Sequence, residues 1–207
     1  LDAALAGMAP DFPEIEMIGL VTDFSRTLDI PPGLLRGRTT LFYPGSSIGN
    51  FTPAEAVRFM RQMRRHMLDE NGVAAGGLLI GVDAKKDRAV LNAAYADALG
   101  VSAAFNLNAL RHINRILGAD FVESGWRHVG VYNEDAGRIE MHLQAVTTQA
   151  VRIDGLTRTF AAGERIHSEN SYKYSRQEFE AMLHEAGFGK VSSWTDDREA
   201  FWVFHAC

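Results

Sequence analysis

Residues 39–60, TTLFYPGSSIGNFTPAEAVRFM, decide the fold. Thr39 to Tyr43 read as a strand that ends at Pro44-Gly45. Thr52-Pro53-Ala54-Glu55 then combines an N-cap threonine, a proline at the first helical position and a glutamate three residues after the cap, so a helix starts there. Ala56, Phe59, Met60, Met63 and Met67 follow at helical spacing and predict one buried stripe, although methionine stripes also line promiscuous partner grooves. Further on, Leu78 to Val82 form a short, fully apolar strand ending at Asp83. Strand, helix and strand with continuous apolar strands predict a parallel sheet covered on both faces.

Working outward, Leu1 to Met8 read as the end of a helix, Pro10 to Pro13 as its exit, and Glu14 to Val21 as another strand with Ile15, Met17 and Val21 buried. Gly72 to Gly77 read as a loop. Beyond Asp83 the pattern changes. Two helices, about Arg88 to Leu99 and Ala104 to Leu117, precede a strand near His128 to Tyr132. A turn at Asn133 to Gly137 follows, then a period-two alternation at Ile139, Met141, Leu143 and Ala145, which is an antiparallel hairpin. A strand near Arg158 to Ala161 is expected to join it. Ser175 and Glu178 make a second capping box before a stripe at Phe179, Met182, Leu183 and Ala186. The closing strands, Lys190 to Trp194 and Phe201 to Ala206, form a hairpin at the sheet edge around Asp196 to Glu199. The fold class expected is α/β with an inserted α+β lobe, and a parallel sheet that finishes with an antiparallel hairpin resembles the Rossmann-like sheet of class I methyltransferases, although fold by itself does not fix function. The expected division is 1–84 core, 85–173 substrate lobe and 174–207 closing core.

Composition excludes several functions. A net charge of −5 over 207 residues disfavours a duplex nucleic-acid partner, because Lys and Arg must outnumber local acids to neutralise phosphates. Arg58, Arg61, Arg64 and Arg65 read as the solvated face of one helix. The single cysteine, Cys207, allows no disulfide framework and no thiolate metal site within the chain, which fits a reducing cytoplasm. No apolar run approaches the ~20 residues that span a bilayer. The seven histidines include no pair at ligand spacing on a helix face, so no metal is expected.

Ligands of an open parallel sheet bind beyond the carboxyl ends of its strands, where Asp23-Phe24, Pro44 to Asn50 and Asp83 fall. Asp23-Phe24 offers an acceptor beside an aromatic ring, suited to an adenine, although such a pair after a strand is more often a turn acid and a core aromatic. In PGSSIGN, Gly45 and Gly49 permit close backbone approach, while Ser46, Ser47 and Asn50 supply polar groups before a helix N-terminus. A polar strand-to-helix connection is the bland alternative.

Five blocks carry a family resemblance: FYPGSSIGNFTPAEA at 42–56, GVDAKKD at 81–87, AAYADALGVSAAFNLNAL at 93–110, NEDAGRIEMHL at 133–143 and AAGERIHSENSYKYS at 161–175. In order and spacing they resemble the histidine Nα-methyltransferases of ergothioneine synthesis, from about residue 10 to the C-terminus. The resemblance implies that S-adenosyl-L-methionine donates the methyl group and that the α-amino nitrogen of L-histidine is methylated three times to hercynine. It implies adenine contacts at Asp23 and Phe24, contacts to the amino and carboxylate end at Gly45 and Asn50, and a phenol donor at Tyr95. Met141 would be a wall of the site, and Glu169 and Ser171 the imidazole readers. Residues two apart on an extended segment face one way, so that last pair can serve both ring nitrogens, although a surface carboxylate and a turn serine are its plain alternative. No nucleophilic side chain is needed, because methylation of an amine asks for positioning and a lost proton.

The glycine-rich cofactor loop, the ribose-binding acid and an upstream tyrosine of such enzymes have no counterpart in the 207 residues, so the first strand would correspond to the family's third. An upstream segment or a second chain completing the cofactor site is expected, and an unpaired sheet edge would otherwise self-associate. The other readings are methylation of a histidine derivative, as in ovothiol synthesis, and a non-catalytic fragment that binds histidine or a partner protein.

Overall fold

The computed structural model describes residues 1–24, 26–31, 33–35, 37–68 and 75–207. Helix α1 (Asp2–Met8) comes first and buries none of its residues. Strand β1 (Thr40–Tyr43) leads through a 3-10 turn at Ser47–Asn50 into α2 (Pro53–Arg65). Both halves of the expected capping box form, with Thr52 Oγ1 accepting from the Glu55 backbone and Glu55 accepting from that of Thr52. Ala56, Val57, Phe59, Met60, Met63 and Met67 are buried, whereas Arg58, Arg61 and Arg65 are exposed and Arg64 is half-buried. The methionine stripe is core, and the arginines line the wet face.

Strand β2 (Gly77–Asp83) pairs with β1 in parallel, Phe42 opposite Leu79. Half of the expected loop before it, 72–74, lies outside the described residues. Helices α3 (Arg88–Tyr95) and α4 (Val101–Leu117) follow, the second ending at Gly118 with φ of 59°. Strands β3 (Trp126–Asn133) and β4 (Arg138–Ala145) form the expected hairpin. Next come β5 (Gln149–Ile153), β6 (Leu156–Phe160), β7 (Arg165–Tyr172), α5 (Arg176–Glu185), β8 (Val191–Thr195) and β9 (Phe201–Ala206). The main sheet has the order β1-β2-β9-β8, a parallel pair closed by an antiparallel hairpin. Its core gathers Ile48, the α2 stripe, β2, Phe179 and Leu183 of α5, and Phe204.

Two expectations are corrected. Glu14 to Val21 is not a strand: the segment pairs with no described strand, and Ile15 and Val21 are 60% and 86% exposed. Period-two apolarity forms a strand only where a neighbour takes the backbone hydrogen bonds, and none reaches it. The strand near Arg158 to Ala161 does not join the β3-β4 hairpin. It pairs as β6 with β5 alone, because Asp154-Gly155, with φ of 48° and 77°, turns the chain straight back. The third strand of the lobe's sheet is β7 instead, in the order β3-β4-β7. A bulge between Met141 and His142 interrupts its register against β4.

Candidate functional site

The carboxyl ends of β1 and β2 meet the end of β7 around a cavity of about 280 Å³. Gly45, Ser46, Ser47 and Asn50 supply one wall, Asp83 and Phe201 the floor, and Tyr95, Glu169, Ser171 and Lys173 the opposite wall. Each wall has a local cause. The loop turns through two successive left-handed residues, Gly45 at φ 80° and Ser46 at φ 60°, and Ser46 Oγ accepts from the Asp83 amide at 2.8 Å, which clips the loop to β2. Gly49 lies so close to β7 that a Cβ there would meet the Tyr172 carbonyl at 2.7 Å.

Tyr95 is placed from behind. The Asn106 amide donates to His128 Nδ1 at 2.9 Å and to the His142 carbonyl at 3.1 Å, so Nδ1 is the bare nitrogen and His128 Nε2–H donates to the Tyr95 carbonyl at 2.7 Å. Gly130 lets this end of α3 approach β3, since a Cβ there would meet the Tyr95 carbonyl at 2.9 Å. The Tyr95 hydroxyl donates to Ser171 Oγ at 2.9 Å.

Lys173 is the residue that sequence reasoning missed. It is 2% exposed, and its ammonium donates to Ser171 Oγ at 2.8 Å, to the Tyr95 hydroxyl at 2.9 Å and to Asp83 Oδ2 at 2.9 Å. Asp83 also pairs with Lys86. A salt bridge from β2 to the end of β7 thus ties the main sheet to the lobe. The available sequence signal was weak: one lysine two residues beyond the Glu169/Ser171 pair, with its acid 90 positions earlier. Glu169 itself is half-buried, and burial raises its pKa above the ordinary carboxylate range while Lys173 pulls it back down. Its carboxylate makes no hydrogen bond among the described residues, and neither does the Asn50 amide.

Gly45, Asn50, Tyr95, Glu169 and Ser171 therefore come together in one cavity. Met141 stands behind it, 4% exposed, packed with Tyr95 and paired across the strands with Glu169. Asp23 and Phe24 do not reach it. Phe24 packs on Tyr43 and Phe59, with ring centroids 6.3 and 5.7 Å away, and is 42% exposed, while Asp23 lies 4.0 Å from Arg26 at the surface.

A larger cavity, about 630 Å³, opens beside Lys86, Arg176 and Trp202. Three of its four Lys and Arg side chains are already paired, Lys85 with Glu178 at 2.5 Å, Arg176 with Glu180 at 2.8 Å and Lys86 with Asp83, with Arg198 as the fourth, so size alone does not make it a ligand site. On the other face of β4, His142 and His167 stack at 4.7 Å, and with Glu140 they bring three donor atoms within 4.8 Å of one another. This cluster forms across strands, which helix spacing cannot reveal. Glu140 Oε1 already accepts from Arg138 at 2.7 and 2.9 Å and from Asn133 at 3.0 Å, so any cation there competes with a guanidinium.

The sequence profile described as histidine-specific, SAM-dependent methyltransferase matches residues 1–207. The chain is 39% identical over 198 residues to the histidine N-alpha-methyltransferase of Mycolicibacterium smegmatis, covering 95% of this chain and 60% of that protein. It is 37% identical to the histidine N-alpha-methyltransferase of Mycobacterium tuberculosis, covering 97% of this chain and 61% of that one. It is 34% identical to ergothioneine biosynthesis protein 1 of Neurospora crassa, covering 96% of this chain and 22% of that one. The chain thus spans about three fifths of the length of its bacterial relatives. With the match running over all its residues and a Rossmann-like sheet beneath it, the chain belongs to the histidine-specific, S-adenosylmethionine-dependent methyltransferases.

Proposed function

We propose that the cavity binds the amino-acid substrate of an S-adenosylmethionine-dependent histidine Nα-methyltransferase that makes trimethylhistidine, the first step toward ergothioneine. The observation that carries this reading is the unpartnered, half-buried Glu169 carboxylate two residues from the Ser171 hydroxyl on one strand. Together they offer an acceptor and a hydroxyl to the two nitrogens of an imidazole. Asn50 and the Gly45 backbone would hold the amino and carboxylate end, with the Tyr95 phenol beside it and Met141 as a wall. The substrate amine needs no strong base, since free α-amino groups titrate near ~8 and orientation supplies most of what is required. The division at 84/85 and 173/174 follows from the same reading: the core offers Gly45 and Asn50, the lobe Tyr95, Glu169 and Ser171.

S-adenosylmethionine, when bound, supplies the methyl group. The residues present fit its adenine end, because Phe24 is an aromatic residue that stays 42% exposed and Asp23 is an acceptor beside it. The rest of that site would come from an upstream segment or a second chain, a reading supported by the exposed apolar side chains of Ile15, Ile18 and Val21. The lone cysteine fits a cytoplasmic setting. Among the described residues no helix is long and apolar enough to cross a membrane.

Calorimetry of the chain with L-histidine and with S-adenosylhomocysteine, beside mass spectrometry for methylated histidines, tests the proposal. Histidine binding that Glu169→Ala abolishes while the fold persists is the expected result. Equal binding by the Glu169→Ala chain would remove Glu169 from the site and sink the reading.

A further inference from the structure

We propose that Lys173 is a positioning residue that turns the Ser171 hydroxyl into a pure hydrogen-bond donor, so that the site accepts one neutral tautomer of the imidazole ring. The inference rests on the histidine reading and extends it from which residues meet the ring to which way each hydrogen bond points.

A serine hydroxyl has one proton to give and two lone pairs that accept, so by itself it does not distinguish a ring N–H from a bare ring nitrogen. An ammonium can only donate. Lys173 has three N–H groups, and all three are committed, to Asp83 at 2.9 Å, to Tyr95 at 2.9 Å and to Ser171 at 2.8 Å. The Tyr95 hydroxyl, accepting from Lys173, passes its own proton to Ser171 Oγ at 2.9 Å. With the Tyr95 proton directed this way, both lone pairs of Ser171 are occupied and its own O–H donates to none of the described residues. That proton is what Ser171 offers the cavity. Two residues away, the Glu169 carboxylate is an acceptor without a donor.

Donor on one side and acceptor on the other match an imidazole with one bare and one protonated nitrogen. They oppose an imidazolium, which presents N–H at both positions, and any ring without a bare nitrogen. Asp83 completes the device: it holds the ammonium from the main sheet, and the Lys173 charge also lies 4.9 Å from the centre of the Tyr95 ring.

The test is ¹⁵N NMR of ring-labelled L-histidine bound to the 207-residue chain, since each ring nitrogen's shift reports whether it carries a proton. The unsubstituted chain is expected to hold a single tautomer. Lys173→Met frees a lone pair on Ser171 while Glu169 still demands an N–H on its own side, so the bound ring should take up a second proton and carry N–H at both nitrogens to higher pH than in the unsubstituted chain, and affinity for the neutral ring should fall about tenfold, the usual worth of one polar contact to a buried site. Lys173→Gln, whose amide still donates, should restore the single tautomer in part, which a merely space-filling role would not do. Lys173→Met removes one of the two ion-pair partners of Asp83 and leaves it with Lys86. If that variant fails to fold, the double variant Asp83→Asn/Lys173→Met, neutral at both positions, carries the same test. A single unchanged tautomer in a folded, histidine-binding methionine variant overturns the role of Lys173 and leaves the histidine reading standing. No histidine binding by the unsubstituted chain overturns both.

Discussion

At the scale of single residues, two carboxylates on the lobe's sheet are held in opposite ways. Burial raises the pKa of Glu169, so the folded chain retains its proton to higher pH than the unfolded one. The stability it contributes is therefore lost as pH rises from the ordinary value of 4.5 through the raised one, and at neutral pH the ionised group is a cost of folding. Glu169→Gln should unfold at the same temperature as the parent or higher, yet lose roughly tenfold or more in histidine affinity, because an amide replaces a charged acceptor. Thermal melts beside calorimetry check both halves, and a loss of stability with affinity intact would contradict the assignment. Glu140 shows the reverse sign. Hydrogen bonds from Arg138, ahead of those from Asn133 and His142, hold its pKa at about 2 against an ordinary 4.5. That stabilisation is complete above about 4.5 and disappears as pH falls toward 2. Urea midpoints measured from pH 5 to pH 2 should fall more steeply for the parent than for Glu140→Gln.

At the scale of elements, the joint between the 3-10 turn and β7 is the most sensitive point. Gly49 is there for lack of a Cβ: an added one would stand 2.7 Å from the Tyr172 carbonyl and 3.3 Å from its amide, both backbone atoms of a paired strand that cannot step aside. Gly49→Ala should cost about 1–3 kcal/mol by overpacking and push Asn50 away from Ser171. Gly45→Ala meets open space and suffers only from its φ of 80°, a strain of about 1–2 kcal/mol. Denaturant titrations should rank Gly49→Ala as at least as harmful as Gly45→Ala, and histidine binding should suffer in both. The same joint shows what the sequence made legible. Thr52-Glu55 and Ser175-Glu178 announced both core helices because capping is local chemistry, and the alternation of β4 announced one buried face. Strand β7 went unread because RIHSENSY is polar where it lines the cavity, so its apolar period is broken by the residues that would make the site. Glu169 and Ser171 were found through family blocks, but Lys173 was not, because a buried lysine is intelligible only once Asp83 stands beside it. The misread segment at Glu14 to Val21 has the opposite fault: its pattern is apolar, but a strand is a property of a pair.

At the scale of the whole molecule, the main sheet ends in β8 on one side and in β1 on the other, and among the described residues no strand pairs with the outer edge of β1. On that open strand Phe42 is 68% exposed, while Leu41 and Tyr43 on the other face pack against the core. Ile15, Ile18 and Val21, each more than half exposed, add further apolar surface in the segment that leads toward β1. A free strand edge with unspent backbone donors and acceptors, flanked by apolar side chains, is a template for another strand. The chain by itself should therefore self-associate in a concentration-dependent way, visible in sedimentation velocity as a shift from a 22.8 kDa species to larger ones. Phe42→Lys places a charge on the open edge without touching the buried face, so it should leave the melting temperature within a few degrees of the parent, as surface changes within about 0.5 kcal/mol do. It should also return the sedimentation profile toward monomer. Histidine binding separates this edge from the site, because Phe42 is not among the residues that line the cavity, and the lysine variant should keep the parent's affinity. Association that persists unchanged in Phe42→Lys would mean that β1 is not the surface through which copies meet.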